Sequence, residues 1–468
     1  GYTPPGILDG IGAFKWRRNT VRLLVNHELR SSLGYPYELA SGAILVGARV
    51  SYFDIDRETL GVCDTGLAYD TIYNRAGKVV RSSADLEFGG LNRLCSSISF
   101  RKGEFGFKDD LYFTGEETGG GTEFVLDVKR GELWAVPAMG RAAWENVTAL
   151  DTGNKNTVGI LVGDDRGGAP LVLYVGKKKK GNFLAKNGLS EGKLYVWVAD
   201  SGDVSPQTWN GTGTSRAGRF VEIDYYRPDL AGSGDYDELG YATQAKQDAL
   251  AADAGAFQFS RPEDLATSPD DGNLAVMAST GRSSLFPADS WGTVYLIKVD
   301  FSDLTANLIV AYDGDDAGGD EFPHPDFGIR SPDNLDWADD GSIFINEDRS
   351  IGEFGLTSGI EASIWKLDPL FPITKRIERV ALMNRDAVLP GGQTDGDPDD
   401  IGDWESSGVL DVTELFDVDD GTLLVADVQA HSVRDGSIGG DGNLVQGGQL
   451  FFLFNDDDDD DGDDDDDD

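Results

Sequence analysis

Short apolar strands that run directly into acidic side chains recur along this chain, and no other feature limits its fold more. Ile343-Phe344-Ile345 ends in Asn346-Glu347-Asp348, and Val21 to Val25 ends in Asn26-His27-Glu28. Asp110 to Gly115 ends in Glu116-Glu117, Val158 to Gly163 in Asp164-Asp165, and Leu423 to Ala426 in Asp427, four residues before His431. A sixth strand, Asn273 to Met277, lacks the terminal acid but is introduced by Arg261-Pro262-Glu263-Asp264. That stretch matches Ser331-Pro332-Asp333-Asn334 in its place before an Asp-Asp-Gly turn. Burying a bare carboxylate is very costly, so such ends either meet water or share a cation.

Each copy is followed by a second apolar strand, among them Ala48 to Phe53, Leu171 to Val175, Thr293 to Ile297, Ala362 to Leu367 and Gln449 to Phe454. Six strand pairs in one chain predict radial repetition, each unit burying its faces on its neighbours. The expected fold is all-β, a six-bladed β-propeller with long inserted loops. Residues 1–20 read as a lead-in, 21–454 as the propeller, and 455–468 as a poly-Asp tail. The segment 228–258, rich in Ala, Asp, Gln and Lys, is the one expected helix.

Charge narrows the partners. The formal net charge is −43, and setting aside the twelve tail aspartates leaves −31 on the body. Nucleic acid and anionic membranes would be repelled, whereas cations would be drawn in. No apolar run reaches the roughly 18 residues that a membrane helix needs. The first residue is not Met, as in a processed mature chain, and export is expected. Asn146-Val147-Thr148 and Asn210-Gly211-Thr212 are sequons. The tail could order only around divalent cations or a basic partner, which makes self-assembly or a surface partner one of its expected uses.

In a propeller the innermost strands surround a central channel, so acids at one end of several strands converge there. Hard oxygen ligands suit Ca2+, while a thiolate such as Cys95 favours a softer metal, iron or zinc. Cys63 and Cys95 could alternatively form one disulfide. Three histidines are too few for a His-rich zinc site. His27 reads as a hydrogen-bonded core residue, and His431 as a core residue or a ligand. Asp313 to Asp320 has the composition of a calcium loop without EF-hand spacing. Lys177 to Lys180 reads as a solvated loop.

Several of these stretches resemble the PhoX-type alkaline phosphatases: Asn26-His27-Glu28, Asn92-Arg93-Leu94-Cys95, Gly115-Glu116-Glu117, Gly140-Arg141 with Trp144-Glu145, Gly163-Asp164-Asp165, Arg261-Pro262-Glu263, and Pro332-Asp333-Asn334 with Glu347-Asp348. The similarity runs from about residue 20 to 454. It implies a secreted, extracellular or periplasmic propeller with Ca2+ and Fe3+ in its channel, acting on phosphate monoesters. By that resemblance Cys95 is an iron ligand and Arg261 contacts phosphate. Glu28, Glu116, Glu117, Glu145, Asp164, Glu263, Glu347 and Asp348 complete the expected metal set. Two motifs depart from the family pattern. Ser96 to Phe100 replaces a Thr-Pro-Trp-Gly-Thr-Trp-like run, and Trp144 stands where a histidine often precedes the glutamate. A non-catalytic, calcium-stiffened propeller serving as a surface-layer, filament or adhesive subunit is the alternative expectation.

Overall fold

A computed structural model describes residues 2–369, 377–389, 392–434 and 444–455. The poly-Asp run Asp456 to Asp468 lies outside the described residues. The chain is all-β and propeller-like, its strands joined mostly by antiparallel neighbours in sequence order. The first sheet is built from Leu8–Arg17, Thr20–His27, Arg49–Asp56 and Val62–Leu67. A five-stranded sheet starts at Leu94–Phe100. A nine-stranded sheet has two halves, one starting at Trp144–Leu150 and the other at Pro262–Thr267. The halves join where Ser215–Ile223 pairs with Thr305–Asp313. A four-stranded sheet starting at Pro332–Trp337 and a three-stranded one starting at Trp404–Asp411 complete the body.

The leading strands form a closed ring. Leu8–Arg17 lies beside Leu94–Phe100, which lies beside Trp144–Leu150; Pro262–Thr267, Pro332–Trp337 and Trp404–Asp411 follow, and the last returns to the first. Apolar side chains fill the angle between each pair of neighbours. Leu23, Val25 and Ile55 meet Val412 and Val425 across the first and last sheets. Leu24 and Val50 meet Tyr112 and Phe124 across the next angle. Where the two halves of the nine-stranded sheet face one another, Leu173 and Trp197 pack with Met277 and Tyr295. Strands buried on both faces need apolar residues at successive positions, hence the unbroken runs rather than a clean alternation.

Three expectations change. Residues 8–17, read as lead-in, form the innermost strand of the first sheet. Their apolar positions are interrupted by Asp9, Gly10 and Gly12, and these glycines lie where Ser97 and Tyr112 approach too closely for a Cβ. The expected helix over 228–258 is confined to Gln244–Asp253, capped by the Thr243 side chain; the rest is turns and a short 3-10 segment. No disulfide links Cys63 and Cys95. Cys63 is exposed on the outer strand of the first sheet, while Cys95 is buried at the ring.

Candidate metal centre

The same pairing register recurs at one end of every leading strand. The first residue of the leading strand pairs with the last residue of the next strand: Leu8 with His27, Leu94 with Glu116, Trp144 with Asp164, Pro262 with Ser279, Pro332 with Glu347, and Trp404 with Ala430. Opposed residues point to the same face and their neighbours to the other. The second residue of each leading strand therefore turns the other way. Those second residues are Asp9, Cys95, Glu145, Glu263, Asp333 and Glu405. The residues just past the ends of the next strands form a second tier: Glu28, Glu117, Asp165, Thr280, Asp348 and His431. A register shift follows within a few residues in every leading strand, the kind of bulge that re-aims side chains.

The backbone holds this arrangement under strain. Ile7, Arg93, Arg261 and Ser331, each just before a leading strand, all have positive φ, at 55°, 49°, 117° and 46°. Non-glycine residues in that region cost on the order of 1–3 kcal/mol each. A repeated bond compensates: the amides of Glu28, Glu117, Thr280 and Asp348 donate to the carbonyls of Ile7, Arg93, Arg261 and Ser331. Asp165 donates in the same way to Ala143.

Three overlapping groups have ligand atoms close enough to share an ion: Asp9, Glu28 and Cys95; Cys95, Glu117 and Glu145; and Glu145, Asp165 and Glu263. The thiol of Cys95 donates to Asp9 Oδ2 at 3.1 Å. Beyond these groups, Asp333 is electrostatically linked to Asp348, Glu405 and Asp9, and Glu405 to Asp348, Asp9 and Glu28. Asp427 is fully buried, and burial together with the charges of Asp9 and Glu405 pushes its carboxyl well above the ordinary carboxylate range.

Among the described residues the cations nearby are few. Arg93 bridges Glu28, at 2.7 Å, and Glu117. Arg261 grips Asp165 with two nitrogens, at 2.6 and 3.1 Å, and reaches Glu263 at 2.9 Å. His431 Nε2 lies 3.1 Å from Glu405. Burial and mutual repulsion push Glu117, Glu145, Glu263, Asp333 and Glu405 well above the ordinary carboxylate range, and Asp9 to about 7. Burial and neighbouring acids likewise raise the Cys95 thiol. Many buried acids against two arginines make a poor resting state for a protein without metal. The donor set of carboxylates, one thiol and one imidazole fits hard Ca2+ together with a softer transition metal.

This imbalance has a measurable consequence. These acids hold their protons to higher pH in the folded chain than in the unfolded chain, so metal-free protein loses stability as pH rises from about 4 toward about 7, the value to which Asp9 is pushed. Metal loading should abolish that loss. Thermal unfolding of chelator-treated and metal-loaded protein across this range checks it, and a metal-free Tm that climbs with pH would contradict it.

Of the expected site residues, the ring brings together Glu28, Cys95, Glu117, Glu145, Arg261, Glu263 and Asp348. It turns three away. Glu116 accepts from the Thr122 amide and is electrostatically linked to Glu87 and Arg141. Asp164 accepts from Nε and Nη2 of Arg166 and from the Ala143 amide. Glu347 is sealed against Arg330, with the Ser363 amide and the Trp365 indole filling its remaining sites. In each acidic doublet the first member stays in the ladder, and the second passes over its end. His27 is a buried core residue between Gly6 and Ser51, and burial lowers its pKa to about 3.

Asp9, Asp165, Asp333, Glu405 and Arg93 belong to the site although they were not among the expected site residues. Asp165 and Asp333 stood inside the quoted motifs, so the doublet rule could have found the first. Asp9 had no comparable signal within a stretch read as lead-in. A cavity of about 580 Å³ opens over Glu28, Arg93, Gln429 and His431, with the exposed Arg30 and Arg434 on its rim.

A family model described as alkaline phosphatase PhoX matches residues 128–368. Among solved structures, PhoX of Pseudomonas fluorescens in complex with vanadate, a transition-state analogue, aligns with a TM-score of 0.65 at 18% identity. It covers 96% of this chain and 89% of that chain. An α-L-arabinofuranosidase from Fusarium graminearum with an iminosugar inhibitor gives 0.38 at 10% identity, covering 96% and 93%. The β-propeller domain of a protease from Pyrococcus furiosus gives 0.31 at 7%, covering 92% and 94%. No curated protein matches.

Proposed function

Because the chain belongs to the PhoX alkaline phosphatase family, we propose that it is a secreted, metal-dependent phosphoesterase that hydrolyses phosphate monoesters at a Ca2+ and Fe3+ cluster in its central channel. On this reading the nine-stranded sheet counts as two blades joined along one edge, which makes a six-bladed propeller. The observation that carries the proposal is the double ring of acids with Cys95, an excess of acidic groups that Arg93 and Arg261 do not match and that bound cations would neutralise.

Glu145 belongs to two of the three ligand groups and Cys95 to two, so these side chains would be shared between neighbouring ions. Glu28, Glu117, Asp165 and Glu263 would supply the remaining oxygens, with Asp333, Asp348 and Glu405 on the opposite arc. Bound there, the ions would supply positive charge that clamps phosphoryl oxygens and makes water a stronger nucleophile at neutral pH.

The chain's own contribution is orientation. Arg93 and Arg261 present planar donor forks, whose geometry matches phosphate. Arg261 is tightly held by Asp165 and Glu263 and is mostly buried, which suits it to fixing ligands and substrate in place. Arg93 is about one-third exposed and faces the cavity, so it is the better placed to receive an incoming ester.

Turnover of p-nitrophenyl phosphate by purified protein supplied with Ca2+ and iron tests the proposal. Arg93→Ala should lower kcat/KM roughly a hundredfold, the usual cost of removing one charge-stabilising donor. Arg93→Lys should recover part of the loss, because it restores charge without the fork. No turnover from protein holding calcium but no iron would instead favour a calcium-stiffened structural subunit.

A further inference from the structure

The cavity over Arg93 has a mouth whose charge runs against that of the chain. Acids outnumber bases about two to one overall, 83 against 40. Among the described residues, the charged side chains lining its 580 Å³ are Arg30, Arg93 and Arg434 against Glu28, with His431 beside them. Glu28 and Arg93 are already engaged with one another. Arg30 and Arg434 are exposed, and among the described residues no carboxylate lies within ion-pair distance of either. Arg434 donates from Nε to the His431 carbonyl, which leaves the two terminal nitrogens of its fork for a ligand.

The fold sets both arginines on one rim. They follow Thr20–His27 and Thr422–Ala430, and so stand on the first and last sheets, which ring closure makes neighbours. The turn that carries Arg30 is fixed to the segment that carries Arg93. There the Arg93 amide donates to the Leu29 carbonyl, the Ser31 amide to Asn92 Oδ1 at 2.9 Å, and the Leu33 amide to the Arg30 carbonyl. Ile7, Leu33 and Val445 add apolar wall to the same cavity. Its volume falls within the range of small-molecule pockets.

Resting on the phosphoesterase reading above, we infer that Arg30 and Arg434 form an outer anion subsite. The preferred substrates are then phosphate monoesters whose alcohol carries a second anionic group, carboxylate or phosphate, on a short carbon chain. With the scissile phosphoryl group at Arg93, the carbon chain lies along the apolar wall and its charged end meets the two guanidinium forks. Arginine forks match either anion in shape and bind it through charge-assisted hydrogen bonds. In a chain that otherwise repels anions, the three arginines also mark the one cavity mouth described here that draws them in.

Butyl phosphate and 3-carboxypropyl phosphate share a primary alcohol leaving group and differ at the far end of the chain. With full-length protein loaded with Ca2+ and iron, kcat/KM for the carboxylated ester should be about tenfold higher. The difference should lie in KM, because the subsite is remote from the breaking bond and binds ground state and transition state alike. It should shrink as salt rises from about 0.01 M to about 1 M, where the screening length falls to roughly 3 Å. Butane-1,4-diyl bisphosphate, corrected for its two equivalent ends, ranks phosphate against carboxylate as the second anion. Arg30→Gln combined with Arg434→Gln should bring the two esters level while calcium and iron content stay unchanged by elemental analysis. Both side chains are exposed, so folding should survive the change. Equal kcat/KM for the two esters in the parent, or a preference that persists in the double variant, overturns the inference and leaves the phosphoesterase reading standing. Turnover of neither ester would instead count against that reading. Calorimetric binding of the two esters to the same protein then decides the subsite, tighter binding of the carboxylated one supporting it and equal binding overturning it.

Discussion

Glu145→Gln is expected to abolish metal-dependent phosphoester hydrolysis and to strip ions from more than one position. The substitution is nearly isosteric, so packing around the buried Trp144 strand should survive. Glu145 belongs both to the group with Cys95 and Glu117 and to the group with Asp165 and Glu263. It is also fully buried, and its nearest charges are other acids, with Glu263, Asp333, Glu117 and Asp9 all raising its pKa. Removing its charge should therefore make the metal-free protein more stable while costing metal occupancy. A loss of roughly a hundredfold or more in kcat is expected, comparable to the loss of an electrostatic stabiliser at a reacting oxygen. Elemental analysis alongside thermal unfolding separates the two effects. Full metal content in this variant would remove Glu145 from the ligand set.

Glu347→Ala should behave in the opposite way. Glu347 and Arg330 are both wholly buried. The carboxylate accepts two guanidinium bonds at 3.0 and 2.7 Å, the Arg330 amide at 2.8 Å, the Ser363 amide at 3.0 Å and the Trp365 indole at 3.0 Å. Asp326 offers Arg330 one further contact, at 3.3 Å, and Phe354 lies under its plane at 3.7 Å. Truncating one partner of such a pair leaves an uncompensated buried charge, at a cost of about 3–5 kcal/mol. The measured outcome should be a large fall in unfolding free energy in denaturant titration. Metal content per folded molecule should stay unchanged, because no lone pair of Glu347 is left for an ion. A specific loss of metal without destabilisation would show that Glu347 is a ligand after all.

Together these two variants separate the acids that hold the fold from those that face the channel, although both kinds look alike in the chain. Glu347 and Asp348 are adjacent, as are Glu116 and Glu117, and Asp164 and Asp165. The acids at the strand ends were legible because a carboxylate after an apolar run is improbable without a partner. Which member of a doublet meets the channel was not legible, because it depends on where the ladder ends. A shift of one residue in pairing exchanges the two faces.

The resemblance to the PhoX-type phosphatases singled out Glu28, Cys95, Glu117, Glu145, Glu263 and Asp348; composition and pattern by themselves determined the all-β class, the recurrence of strand pairs and the excess of negative charge. These follow from local rules: apolar runs must be buried, and acids must be neutralised. Only the tertiary structure decided that residues 8–17 close the ring and bring Asp9 to Cys95. It also decided that Arg330 claims Glu347 and that Arg166 claims Asp164. Each of these contacts joins positions whose relation is set by strand register and ring closure. No local preference of the chain encodes that geometry.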